Sequence, residues 1–164
     1  MKGRITLAKT VSISIPIEEL QVKSSESLEN LVVRNIEKVE EGLTVLGRQI
    51  PVNQHNIVDL LCVDRNGQIV IFKLSLNKDD NMLFEGLTTF HEVNNVKKLL
   101  KFFNNNSKIN DKDLPRLNLI APSFSNNIKN LAKNMSGVKI NLHEWEYLKF
   151  GDKKTVRFKL ASID

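Results

Sequence analysis

At 164 residues and 18.7 kDa the chain is one domain with room for a small appendage, which excludes two independent enzymatic domains. Hydrophobic residues make up 41% and charged residues 26%, values of a water-soluble globular protein, and no apolar run approaches the roughly 18 residues of a membrane helix, so no membrane partner is expected. Twenty-four Lys and Arg against nineteen Asp and Glu give +5 and a pI near 9.3, a bias toward polyanions that makes a binding surface only where the charges cluster. The single cysteine, Cys62, excludes an internal disulfide and a cysteine-based zinc cluster, and a reducing cytoplasm is the expected compartment.

The N-terminal stretch MKGRITLAKTVSISIPI alternates apolar with polar residues, as a strand does and a secretory signal does not. Residues 1–23 read as an N-terminal strand or extension, and 24–164 as the domain proper. Ser24 and Ser25 can cap a helix with Glu26 and Glu29 in its first turn and Leu28, Leu31, Val32, Ile36 and Val39 at helical spacing. Gly42 ends it, and LTVLGRQIPV suits a strand interrupted by a bend or bulge. IVDLLCV, DRNG and QIVIFKLSL form an antiparallel hairpin whose Asn66-Gly67 supplies positive φ angles. A long helix follows from Asp79 or Asp80 to about Phe103, with Leu83, Leu87, Phe90, Val93, Val96, Leu100 and Phe103 as its buried stripe. NNNSKINDKD is a loop, RLNLIAP an interior strand, and Ile128, Leu131, Ala132 and Met135 mark a further helix. VKINLHEWEYLKF, GDKK and TVRFKL close the chain as a second hairpin. The expected class is α/β, a central mixed β-sheet flanked by helices.

Asp59 lies within an apolar strand, where a carboxylate must turn to solvent or meet something that offsets its desolvation. Lys73 and Ser75 stand two apart on the next strand, so they share one face of the sheet, and acid, lysine and hydroxyl could converge. With LENLVVRN, EEGLTVLGRQIPV, VDLLCVDRNGQIVIFKL and LNLIAPSF, the chain resembles the NucS-like and RecB-like branch of the PD-(D/E)XK, restriction-endonuclease-like superfamily, from about Ser25 to Phe150. The resemblance implies that Asp59 corresponds to the metal-binding aspartate, that Glu26 or Glu29 corresponds to an upstream helix acid, and that the Gly47-Arg48-Gln49 turn lies near the cleft. It also implies Mg2+ or Mn2+ as cofactor and nucleic acid, DNA above all, as substrate.

The pattern's Glu-x-Lys is here Lys73-Leu74-Ser75, so a negative metal ligand has become a cation, and the downstream Gln-x-x-x-Tyr has Gly86 and Phe90. Three departures at one site point to a catalytically degenerate nuclease fold that binds nucleic acid or serves in assembly, with no cofactor. One alternative is an active divalent-metal endonuclease with a rearranged site, Asp59 and Glu85 holding the metal and Lys73 orienting water. Another is a protein-interaction domain that forms a homodimer through exposed strand edges. Phosphate contacts are expected from Arg48, Gln49, Lys78, Lys97, Lys98 and Lys101. His55, His91 and His143 share no ligand spacing and read as surface or hydrogen-bonded histidines. Ser123 and Ser125 read as caps of the next helix, and Cys62 as a small core hydrophobe.

Overall fold

The hairpin that the sequence marks most clearly forms the middle of a seven-stranded mixed sheet in the computed structural model, which describes residues 15–104 and 108–161. Its strands, β3 (Ile57–Val63) and β4 (Ile69–Leu74), pair antiparallel, and β2 (Thr44–Pro51) pairs antiparallel with β3 on the outer side. Beyond β4 come β5 (Arg116–Ala121) and β6 (Ile140–Phe150), both in parallel register. β6 then pairs antiparallel with both β1 (Ile17–Leu20) and β7 (Lys153–Leu160). All six residues of β5 are buried, as expected of a strand with a parallel neighbour on each side and both faces covered. The expected mixed sheet flanked by helices is the fold observed, including the closing hairpin.

Alternation along the strands sends residues to two separate cores. Leu61, Val63, Ile69, Ile71, Leu117 and Leu119 meet α3 (Met82–Phe103) and α4 (Asn126–Asn134) on one face. Leu60, Cys62, Val70, Phe72, Ile120 and Trp145 meet α1 (Ser25–Arg34) and α2 (Ile36–Val39) on the other. Gly86 brings α3 close to the sheet, because a Cβ there would stand 3.1 Å from methyl carbons of Leu117 and Leu119.

Four local expectations change. The helix expected from Ser24 to Gly42 is two, because the Asn35 side chain donates to the Leu31 carbonyl at 2.8 Å, competing with the backbone for the helical acceptor. Asn66 does not take a positive φ; Gly67 alone does, at +80°, while Asp64 Oδ1 accepts from the N–H groups of Asn66 and Gln68 and shapes the loop. On α3 the buried stripe runs through Met82, Leu83, Gly86, Thr89 and Val93, and Phe103, expected to be buried, is 77% exposed and packs edge-to-face on Phe102. Leu131 of α4 is likewise exposed. The anticipated extension 1–23 contributes β1, paired from Ile17↔Phe150 to Leu20↔Tyr147; residues 1–14 lie outside the described residues.

Candidate functional site

The register of β2, β3 and β4 places Gln49, Asp59 and Lys73 in one row across three strands, since Arg48 pairs with Leu60 and Leu60 with Phe72. Two backbone devices aim the β2 residues. The β2–β3 register slips between Val45 and Gly47, a bulge that gives β2 an extra residue, and Gln49 takes a left-handed φ of +49°. The Gln49 amide hydrogen-bonds Asp59 and also donates from Nε2 to Glu29 Oε2 at 2.5 Å, so it bridges the two carboxylates. Arg48 Nε donates to Glu29 Oε1 at 2.5 Å, and its Nη2 to Asn30 Oδ1 at 2.6 Å. Glu29 is buried on α1, whose N-cap Ser24 accepts from the Ser27 N–H at 3.0 Å.

Asp59 is held from the other side. Its Oδ2 accepts the Leu74 N–H at 2.8 Å and lies 3.9 Å from Lys73 Nζ. Burial pushes its pKa above the ordinary carboxylate range; the Leu74 N–H and Lys73 oppose that, Glu29 adds to it, and the Gln49 amide opposes it again. Two carboxylates thus face two cations, Arg48 and Lys73, and the cluster is close to neutral.

The other expected participants are dispersed. Ser75 lies past the end of β4, and its hydroxyl donates to the Asn77 carbonyl at 2.6 Å. Glu26 is exposed beside Ser25, Glu29, Asn30, Arg48 and Gln49, which line an open depression of about 510 Å³. Glu85 is exposed in the first turn of α3, and its carboxylate makes no hydrogen bond or ion pair among the described residues. Lys78 is exposed in the β4–α3 loop. Because α3 connects two parallel strands, it carries Lys97, Lys98 and Lys101 back toward the end of the sheet remote from Asp59. There Lys97 donates to the Asp113 carbonyl at 3.1 Å, Lys101 lies 3.7 Å from Asp111, and Lys98 is exposed. Arg48 and Gln49, expected to grip phosphates, direct these donors at protein acceptors.

The donor set does not fit the divalent ion that the resemblance implies. Both Glu29 oxygens accept from Arg48 and Gln49, Asp59 faces an ammonium, and no group of three His, Cys, Asp or Glu among the described residues could hold a metal.

A second polar cluster, on the α1–α2 face, escapes sequence reasoning. Arg116 forms a two-pronged pair with Glu40 at 2.9 and 2.6 Å and meets Asp64 at 3.0 Å. Burial alone lowers the Arg116 pKa, but the two carboxylates outweigh it and raise it overall. His143 is not a surface residue but a buried one, and among the described residues its Nε2 has no hydrogen-bond partner. Burial pushes its pKa down to about 4, with Glu40 opposing the shift and Arg116 adding to it. Elsewhere Ser125 caps α4, accepting from the Ile128 N–H at 3.3 Å, and Cys62 is a buried core thiol, as expected; burial and Glu40 push it up to about 12.

Comparison with known proteins locates this arrangement. Residues 24–148 match the family described as Endonuclease NucS C-terminal domain. Endonuclease NucS of Pyrococcus abyssi is 30% identical over 115 residues, 70% of this chain and 40% of the relative; that of Pyrococcus furiosus is 29% identical over 143 residues, 87% and 47%. The chain spans about half the length of the curated relatives it matches. Among solved structures, a repair endonuclease from Pyrococcus abyssi is similar at 27% identity and a TM-score of 0.47, covering 77% of this chain and 50% of that one. A complex of EndoMS with dsDNA is similar at 25% identity and a TM-score of 0.47, covering 77% and 47%.

Proposed function

This chain belongs to the Endonuclease NucS C-terminal domain family, and from that premise we propose that it is a member whose cutting centre has given way to a charge-compensated cluster, kept as a nucleic-acid-binding module. The observation that carries this reading is Lys73. It occupies the position where the resembled motif has a metal-binding Glu, and its ammonium lies 3.9 Å from Asp59. A divalent cation about 4 Å from that ammonium meets roughly 8 kcal/mol of repulsion at an effective dielectric of 20. Asp59 and Glu29 attract such an ion, but Arg48 and Lys73 offset that attraction, so the cluster as a whole offers a cation little net stabilisation. Ser75, standing where the motif has its lysine, turns its hydroxyl to Asn77 and does not take that lysine's place. What survives is a charge-balanced corner in a chain of net charge +5, in a family named for acting on nucleic acid.

The test is incubation with labelled single-stranded, duplex and flapped DNA in Mg2+ or Mn2+, with Asp59→Ala as control and a parallel gel shift without metal. Salt-sensitive binding without cleavage is expected, because phosphate contacts weaken as counterions compete. Metal-dependent cleavage lost in both Asp59→Ala and Glu85→Ala overturns the proposal in favour of the rearranged site. The absence of both binding and cleavage favours a protein-interaction domain, with the open outer edge of β2 as the pairing surface.

A further inference from the structure

The basic surplus gathers on a face that the Asp59 cluster does not use. Between α1–α2 and the β6–β7 hairpin runs a trough whose two halves, of about 340 and 360 Å³, share Leu31, Arg34 and Tyr147. Lys23 lines one half and Lys38, Lys153 and Lys154 the other, and no Asp or Glu lines either. Register adds a further cation. Lys149 stands directly opposite Lys154, two pairs along from Tyr147 opposite Val156, so Tyr147, Lys149 and Lys154 share a face of the hairpin.

Like charges directly opposite across strands are destabilising, and among the described residues neither lysine of this pair forms an ion pair with a carboxylate. Glu18 stands on the other flank of Lys149 without an ion pair, Asp152 is exposed in the hairpin turn, and Glu37 accepts from the Gly42 N–H. Among the described residues Arg34, Lys149, Lys153 and Lys154 have no hydrogen bond or ion pair through their side chains, while Lys38 donates to Thr155 Oγ1 at 3.0 Å. No carboxylate lines the trough, although Glu18 stands beside it opposite Lys149, and Tyr147, half-buried, is shared by the two halves.

We propose that this trough binds the backbone of a single-stranded nucleic acid, with Arg34, Lys38, Lys149, Lys153 and Lys154 on successive phosphates and Tyr147 stacking a base. A cationic groove with an aromatic in its floor is the form that single-strand binding takes. This rests on the nucleic-acid-binding reading above and gives it a surface and a substrate class.

The test measures fluorescence anisotropy of labelled single-stranded and duplex oligonucleotides across a salt series, for the wild type, Arg34→Ala, Lys149→Ala/Lys154→Ala, Tyr147→Leu and, as a control on α4, Lys133→Ala. The expected result is tighter binding of the single strand. The double variant should lose about tenfold in affinity at low salt, and its salt slope should shrink by roughly 0.7 for each lost contact. Tyr147→Leu should lose at least about fivefold with the slope unchanged, and Lys133→Ala should bind as wild type. Thermal melts establish that each variant is folded, and Lys154→Gln alone replaces the double variant if the latter melts early. Wild-type affinity in every trough variant overturns this proposal and leaves the nucleic-acid-binding reading standing, whereas a wild type that binds no oligonucleotide overturns both. Binding to phosphatidylcholine–phosphatidylserine vesicles but not to oligonucleotides assigns the trough to a membrane surface and overturns it as well.

Discussion

Lys73 and His143 show how far single residues could be read. The Asp59–Lys73 pair was legible, because strand alternation and the length of the hairpin loop fix which side chains stand opposite. Ser75 was not, since β4 ends at Leu74 and alternation stops with it. Nor was the role of Gln49 as a bridge between Glu29 and Asp59, which depends on a bulge and a positive φ that no residue pattern announces. His143 was misread because β6 buries one half against β5 and both faces of the sheet are covered there. Its burial gives a pH signature. With a folded pKa of about 4 against 6.5 for an ordinary histidine, the unfolded chain takes up the proton first as pH falls. Stability should therefore decline from about pH 6.5 to about pH 4, by on the order of 3 kcal/mol from this group. Urea melts across that window should show the slope in the wild type and its loss in His143→Leu; an identical slope in both would assign it elsewhere. Asp59 works in the opposite sense, since its raised pKa makes protonation favourable to the folded state at lower pH.

At the scale of elements, the order of strands and helices was nearly complete from sequence, because β-branched runs and helical periodicity are strong in this chain. The boundaries that moved were those decided by one side chain or by tertiary contact, such as the Asn35 break and the exposure of Phe103. Gly67 is a position where tertiary contact dictates the residue. A Cβ there would stand 1.9 Å from the Lys108 carbonyl oxygen, and the Gly67 carbonyl accepts from Asn110 N at 2.7 Å, so the hairpin loop is seated against the segment before β5. Gly67→Ala meets both a positive φ and that contact, and should cost more than about 1 kcal/mol. Chemical denaturation reads this directly, and a loss no larger than a few tenths would mean the loop can move away.

For the whole molecule, the sheet is closed at one end by its earliest described strand. β1 gives β6 a second partner over Tyr147–Phe150, next to the trough. Removing residues 1–20 strips those ladder bonds, and the truncated chain should melt several degrees lower, at roughly 2–4 °C per kcal/mol lost for a chain of this size. An unchanged melting temperature would make residues 1–23 a dispensable extension in the thermodynamic sense.

The same pairing has a consequence for synthesis. Ile17 is among the first described residues to leave the ribosome, and its partner Phe150 among the last. At about 5–20 residues per second, β1 waits on the order of ten seconds with its backbone donors and acceptors unmatched, while β2, β3 and β4 can already pair among themselves. The antiparallel meander can therefore pair before β6 is synthesised, whereas the β1–β6–β7 end assembles only once those later strands have emerged. The trough, built by α1–α2 and the β6–β7 hairpin, is accordingly among the last of the described features to form.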